Sequence, residues 1–183
     1  MSIFERYQAR YEASREELIS LREYLELCKA DPTAYAGPAE RLLSAIGDPE
    51  MVNTRDDPRL SRIFQNKVLR YPAFSEFYGM EESIEHLVSY LKHASQGLEE
   101  KKQILYLLGP VGGGKSSLAE KLKELMQERP FYAIHGSPVF ESPLSLFSPE
   151  EDGPILVEDY GIPVRYLRTI MTPWAVKRLQ EYN

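Results

Sequence analysis

At 183 residues, with 43% apolar and 27% charged side chains, the chain has the make-up of a folded globular protein and the length of one ordinary domain, or of a compact domain with a helical extension. A net charge of -6 argues against a general nucleic-acid or anionic-membrane surface, and no apolar run approaches the ~20 residues needed to cross a bilayer. The single cysteine, Cys28, excludes an internal disulfide and fits a reducing compartment.

The N-terminus, MSIFERYQARYEASREE, is charged throughout and has no signal-peptide core. The expectation is a soluble cytoplasmic protein with neither membrane nor nucleic acid among its partners. Phe4, Tyr7, Tyr11, Ser14, Leu18, Leu21, Leu25 and Cys28 repeat at alternating spacings of three and four, as a coiled-coil seam would. Two capping boxes, Ser14 to Glu17 and Ser20 to Glu23, favour two shorter helices at least as well. Asp31-Pro32 opens a further helical turn, Gly37-Pro38 interrupts it, and Ala39 to Ile46 presents Leu42, Leu43 and Ile46 on one side before Gly47. Between Asp48 and Pro72 the periodicity is weak. Arg55, Arg59, Arg62, Lys67 and Arg70 make that stretch locally basic, which reads as a solvated surface or a contact with acidic neighbours.

From Tyr71 the pattern sharpens. Phe74 to Met80 leads into a helix over Glu81 to Ala94, with Ile84, Leu87, Val88 and Leu91 on one face. A polar connector follows, then the apolar run Ile104 to Leu108, expected to be a strand. The segment Gly109-Pro110-Val111-Gly112-Gly113-Gly114-Lys115-Ser116-Ser117 comes next, and a helix runs from about Ser116 to Glu128 with Leu118, Leu122, Leu125 and Met126 on its apolar face. Phe131 to Ile134 is a second candidate strand. Prolines 138, 143, 149 and 154 punctuate a long loop, and Val164 to Gln180 reads as one or two helices around Pro173. The sequence ends at Lys177 to Asn183 in a helical pattern without a glycine or proline stop, as expected of a chain cut short or of a frayed terminus.

The glycine-rich segment satisfies G-x-x-x-x-G-K-[ST] from Gly109 to Ser116, with an apolar run before it and an amphipathic helix after it. Glycines allow successive backbone N–H groups to face one anion, and the following helix points its positive end at the same spot. Lys115 is the candidate partner of the β- and γ-phosphates of ATP, Ser116 the candidate Mg2+ ligand, and Ser117 a candidate neighbour of the α-phosphate. Gly109, Pro110, Val111, Gly112, Gly113 and Gly114 complete the cradle. The loop is not the G-x-G-x-x-G of a eukaryotic-type protein kinase, and V-A-I-K and H-R-D are missing from the sequence.

Hydrolysis also needs a carboxylate at the end of a second apolar strand; the candidate is Ile155 to Asp159, read as a short strand or an extended turn carrying Glu158 and Asp159. No third ligand joins His86 and His93 at metal spacing, His135 has no evident role, and Cys28 reads as a buried, inert thiol.

The run FYGMEE, the helix after it and ILYLLGPVGGGKSSLAEKL together resemble the opening of an AAA-type ATPase module. In such modules the turn before the first helix lies against adenine, so the resemblance implies base contacts at Tyr78 and Gly79. AERLLSAIGDPE, DPRLSRIF, the stretch from YPAFSEFYGM through GGGKSSLAEKL, and EDYGIPVRYLRTIMTPWAVKRL resemble the bacterial PrkA serine protein kinase family across nearly the whole chain. That resemblance implies an α/β fold with an AAA-like P-loop parallel sheet, incomplete in this fragment. Residues 1–70 would be a helical extension and residues 71–183 the first part of the ATP-binding domain. It further implies a cytoplasmic protein of the stress response, with ATP and Mg2+ as cofactors and a serine-containing protein as substrate. An AAA-type module also admits a homo-oligomer. The magnesium carboxylate, the γ-phosphate sensor and any arginine finger would lie beyond residue 183. Two alternatives stay open, an AAA-type regulatory or remodelling ATPase without kinase activity, and a small-metabolite P-loop kinase. The latter is disfavoured by the roughly one hundred residues ahead of the loop.

Overall fold

Local stop and start signals fix most of the element boundaries. The computed structural model describes residues 3–14, 18–56, 58–63, 67–128 and 130–182. In chain order the helices are α1 (Ile3–Ser14), α2 (Leu21–Ala30), α3 (Pro38–Ile46), the single turn α4 (Leu60–Ile63), α5 (Glu81–Ser95), α6 (Lys115–Gln127), α7 (Gly153–Tyr160) and α8 (Pro173–Tyr182). Two strands, β1 (Glu50–Asn53) and β2 (Lys67–Arg70), flank α4.

The N-terminal repeat is divided between α1 and α2. The second capping box forms as expected: the Ser20 hydroxyl accepts from the Glu23 N–H (3.2 Å), and the Glu23 carboxylate accepts from the Ser20 N–H (2.7 Å). The first box, at Ser14 to Glu17, lies outside the described residues. Pro38 starts α3, Glu40 turns back to accept from the Gly37 N–H (2.7 Å), and the helix stops at Gly47.

The chain forms two compact units, one of residues 36–131 and one of residues 1–35 with 132–183. In the first, α5 packs on α3 and β2, and α3 packs on α6. Their apolar faces bury Ile46, Tyr71, Phe74, Ile84, Leu87, Val88, Leu91, Leu118 and Leu125 in one core. The helical spacing of Ile84, Leu87, Val88 and Leu91 therefore faces where the sequence pattern points.

The sheet is where structure and expectation differ. Among the described residues the sheet is the antiparallel pair β1–β2, with Glu50 opposite Arg70 and Asn53 opposite Lys67. It arises in the stretch whose periodicity is weakest, and Val68 is its one buried residue. Residues 104–108, expected as a strand of a parallel sheet, are irregular. Ile104 is 91% exposed and Leu108 85% exposed, and Leu107 alone of the five packs against the core. A strand is held by the ladder and side chains of its neighbours, and among the described residues none pairs with this run. Residues 131–134 are likewise irregular.

The candidate strand at 155–159 is a helix, α7. Pro154 occupies its first turn, and Gly161 ends it in the left-handed region (φ 69°). The Gly161 N–H returns to the Val157 carbonyl (3.2 Å) and the Ile162 N–H to that of Leu156 (3.0 Å). The apolar triplet Ile155 to Val157 lies between a helix-starting proline and a helix-ending glycine, and those local signals prevail.

In the second unit Tyr24, Leu25 and Cys28 of α2 meet Leu144, Leu156, Ile162 and Leu167. Cys28 is a buried free thiol, pushed up from its ordinary pKa by that burial. A buried carboxylate holds the start of α8. Glu141 accepts from the Thr172 N–H (2.8 Å) and hydroxyl (2.6 Å), and the Thr172 hydroxyl in turn accepts from the Ala175 N–H (3.2 Å). Burial pushes the Glu141 carboxyl up, but the hydrogen bonds from Thr172 outweigh it and hold it below the usual carboxylate range.

Two stability predictions follow from these contacts. Leu118→Ala, emptying a core site at the first turns of α6, should cost about 2–5 kcal/mol in urea unfolding; an unchanged midpoint would contradict the packing described. Because the folded-state pKa of Glu141 is depressed, its contribution is full above the unfolded-state value of about 4.3 and fades as pH falls through the lower folded value. Glu141→Gln should therefore destabilise at pH 7 and flatten the loss of stability below about pH 4. Parallel pH profiles for variant and wild type would contradict it.

Candidate functional site

The loop 109–117 joins the irregular run 104–108 to α6. Its path depends on two glycines in the left-handed region, Gly112 (φ 81°) and Gly114 (φ 74°). The Gly113 N–H bonds back to the Pro110 carbonyl (3.3 Å) and closes the turn, and Gly114 caps α6, where the Leu118 N–H makes the first bond to the Gly114 carbonyl (2.9 Å). The N–H groups of Lys115, Ser116 and Ser117, in the first turn of α6, are donors that an α-helix cannot itself satisfy. They sit at the positive end of the helix dipole.

Lys115 folds over the loop: its ammonium donates to the carbonyl of Gly109 (2.8 Å) and to that of Pro110. Ser116 and Ser117 are exposed beside it. First-turn N–H groups, a helix N-terminus and an ammonium above glycines form a donor set that suits the phosphates of a nucleotide. A magnesium ion would take the Ser116 hydroxyl; no cluster of three or more metal-ligating side chains lies among the described residues.

The turn ahead of α5 belongs to the same neighbourhood. Gly79 is also left-handed (φ 74°), and Met80 lies against Gly114: a Cβ built there would come within 2.9 Å of the Met80 sulfur. Lys121 of α6 pairs with Glu76 (3.6 Å), a second tie between α6 and this turn. Tyr78 and Gly79 form part of the wall of a cavity of about 270 Å³. Aromatic side chains (Tyr71, Phe74, Phe77) supply much of the rest, with Phe74 and Phe77 edge to face at 6.0 Å. Arg59, Arg70 and Glu81 add charge. Burial, followed by the Glu85 charge, pushes the Tyr71 phenol above its ordinary value.

The structure thus brings Tyr78, Gly79 and the P-loop residues into one compact unit. It does not bring Glu158 and Asp159 into that unit; both are exposed on α7. His86 and His93 are exposed on α5, and His93 Nδ1 lies 3.1 Å from Glu100 Oε1. Sequence reasoning missed Arg59, Arg70, Tyr71, Phe74, Phe77 and Glu81 as cavity residues. The density of aromatics between Tyr71 and Tyr78 is the signal in the sequence that could have found them.

Gly114→Ala should force a β-carbon into a left-handed position against Met80, costing about 1–2 kcal/mol in unfolding and weakening nucleotide binding more than it weakens the fold. Calorimetric affinity equal to wild type would contradict the loop geometry.

Comparison with known proteins gives the family. A family model described as "PrkA AAA domain" matches residues 19–183. Over its whole length the chain is 63% identical to a protein named "Serine/threonine kinase YeaG" from Escherichia coli (strain K12), covering 29% of that protein. It is 33% identical, over 87% of the chain and 24% of the relative, to "ATP-dependent protease PrkA" from Bacillus subtilis (strain 168). The chain therefore spans less than a third of these relatives' length. No solved structure matches it, and no helix among the described residues is long and apolar enough to cross a membrane. A P-loop sequence at the head of α6, together with a family match that runs from residue 19 to the last residue, makes this chain a member of the PrkA AAA domain family.

Proposed function

We propose that the chain is the Mg-ATP-binding region of a PrkA-type serine protein kinase. The observation that carries this reading is the loop 109–117, with Gly112 and Gly114 left-handed and the Lys115 ammonium folded back onto the Gly109 and Pro110 carbonyls. Backbone N–H groups of Gly112, Gly114, Lys115 and Ser116 would hold the phosphates, with Lys115 giving up its loop carbonyls for the β- and γ-phosphate oxygens and Ser116 ligating the metal. Tyr78 and Gly79 would face the base, a role supported by the cavity they line and by the Met80 contact with Gly114. ATP supplies the phosphoryl group; the residues named here bind and orient it and neutralise its charge.

On the same reading, residues 104–108 become a strand of a parallel sheet only beside strands contributed from outside this chain. The metal-binding carboxylate would come from there as well. The serine-containing protein substrate and the transfer to it belong to the whole protein.

A second reading is favoured by the name of the Bacillus subtilis relative, an ATP-dependent protease. ATP turnover would then drive work on a protein partner, without phosphorylation, and self-association would raise it. Both readings need the same loop.

Lys115→Ala should weaken Mg-ATP binding by about 2–3 kcal/mol, roughly 30- to 150-fold in Kd, as loss of charge-assisted contacts predicts; unchanged calorimetric affinity would sink the site. γ-Labelled ATP given to the full-length protein then separates the readings. Label on a protein serine, lost in Lys115→Ala, supports the kinase. Free phosphate without phosphoserine supports the ATP-driven alternative.

A further inference from the structure

The wall of the cavity beside the loop comes from two stretches of chain. One is the turn that leads into α5, with Phe74, Phe77 and Tyr78. The other lies before residue 71, with Arg59 and Leu60 where α4 begins and Leu69 and Arg70 at the end of β2. Both stretches belong to the compact unit of residues 36–131 that contains the phosphate loop. β2 packs on α5, and α3 packs on both α5 and α6, so the earlier segment is fixed to the same helices as the loop.

The cavity is apolar at its floor and polar at its rim. Leu60, Tyr71, Phe74 and Ile84 are buried, and Leu69 packs against the same core as the last three. Arg70 and Tyr78 are exposed, Tyr78 to 73%. A ligand here meets a hydrophobic floor with planar polar groups at its edge. A guanidinium is flat, always charged and more weakly hydrated than an ammonium, and it stacks on aromatic rings. Arg70 is carried on a paired strand, with Glu50 of β1 opposite it, and a side chain on a strand is placed more precisely than one on a loop.

Resting on the nucleotide reading above, we propose that α4 and β2 form the second wall of the base site, with the Arg70 guanidinium against the face of the purine ring. The cavity, about 270 Å³, has room for the ring, and Met80 against Gly114 joins its neighbourhood to the phosphate loop. A cation over a ring is attracted by the π-electrons of the face and reads nothing of the edge. The contact therefore grips purines as a class and adds affinity without choosing among them. It also gives the segment before residue 71 a part in holding the nucleotide, beyond covering the core.

The test measures calorimetric affinities of full-length protein for Mg-ATP and for magnesium tripolyphosphate, which keeps the phosphate chain and lacks the ring. Arg70→Ala should weaken Mg-ATP binding by about fivefold and leave the tripolyphosphate affinity within about twofold of wild type. Arg70→Lys keeps the charge without the flat face, and should recover only part of the loss. Arg62→Ala removes an exposed cation of α4 that does not line the cavity, and should leave Mg-ATP binding within about twofold of wild type. Equal weakening of both ligands by Arg70→Ala would reduce its role to general attraction for phosphates and overturn the proposal. Unchanged Mg-ATP affinity in Arg70→Ala, full recovery in Arg70→Lys, or an equal loss in Arg62→Ala would overturn it too, while leaving the phosphate loop standing. Binding of neither ligand to wild type would instead bring down the nucleotide reading, and this inference with it.

Discussion

A helix N-terminus can hold an anion only if its first turn cannot move away, and in this chain that constraint is met at Gly114. The residue takes a left-handed conformation to start α6, and its bare Cα leaves room for the Met80 sulfur. One turn later Leu118 is buried in the core with Ile84, Leu87 and Val88 of α5. The core therefore fixes α6, α6 fixes the loop, and Gly114 registers the loop against the turn that carries Tyr78 and Gly79. A side chain at residue 114 would be strained by the left-handed backbone and would displace the end of the Met80 side chain that lies against the loop.

What was legible in the sequence was what is determined locally. The loop motif, the Ser20–Glu23 capping box, the Pro38 start and Gly47 stop of α3, and the apolar face of α5 depend on residues within a few positions of one another. Strands depend on partners far along the chain, and there the described residues depart from the expectation. Residues 104–108 are apolar enough for a strand but stand unpaired among the described residues, whereas the pair β1–β2 is short, mostly exposed and without polar–apolar alternation. The misreading of residues 155–159 is different in kind, because Pro154 and Gly161 bracket a helix in the sequence and an apolar triplet outweighed them. The cavity was hidden for a third reason. Its lining comes from α4, β2, the turn after it and the head of α5, which come together only in the folded chain.

The two named relatives carry different activities, a kinase and an ATP-dependent protease, over matched regions that both include the loop. Mg-ATP is what those chemistries would share. In a kinase the γ-phosphoryl group leaves for a protein hydroxyl; in an ATP-driven protease its hydrolysis powers movement of a partner. Neither requires the loop to differ, so the residues that decide between them lie elsewhere than in the cradle. The exposed α7 carboxylates Glu158 and Asp159, held on a helix in the other unit, give no support to a catalytic assignment within this chain.

Hydrogen exchange followed by mass spectrometry on the full-length protein, with and without saturating Mg-ATP, reaches the central claim most directly. If Gly114 joins the phosphate cradle to the base-facing turn, peptides covering residues 77–81 and 109–118 gain protection together. Saturated binding that protects neither, or that protects one without the other, would contradict the account.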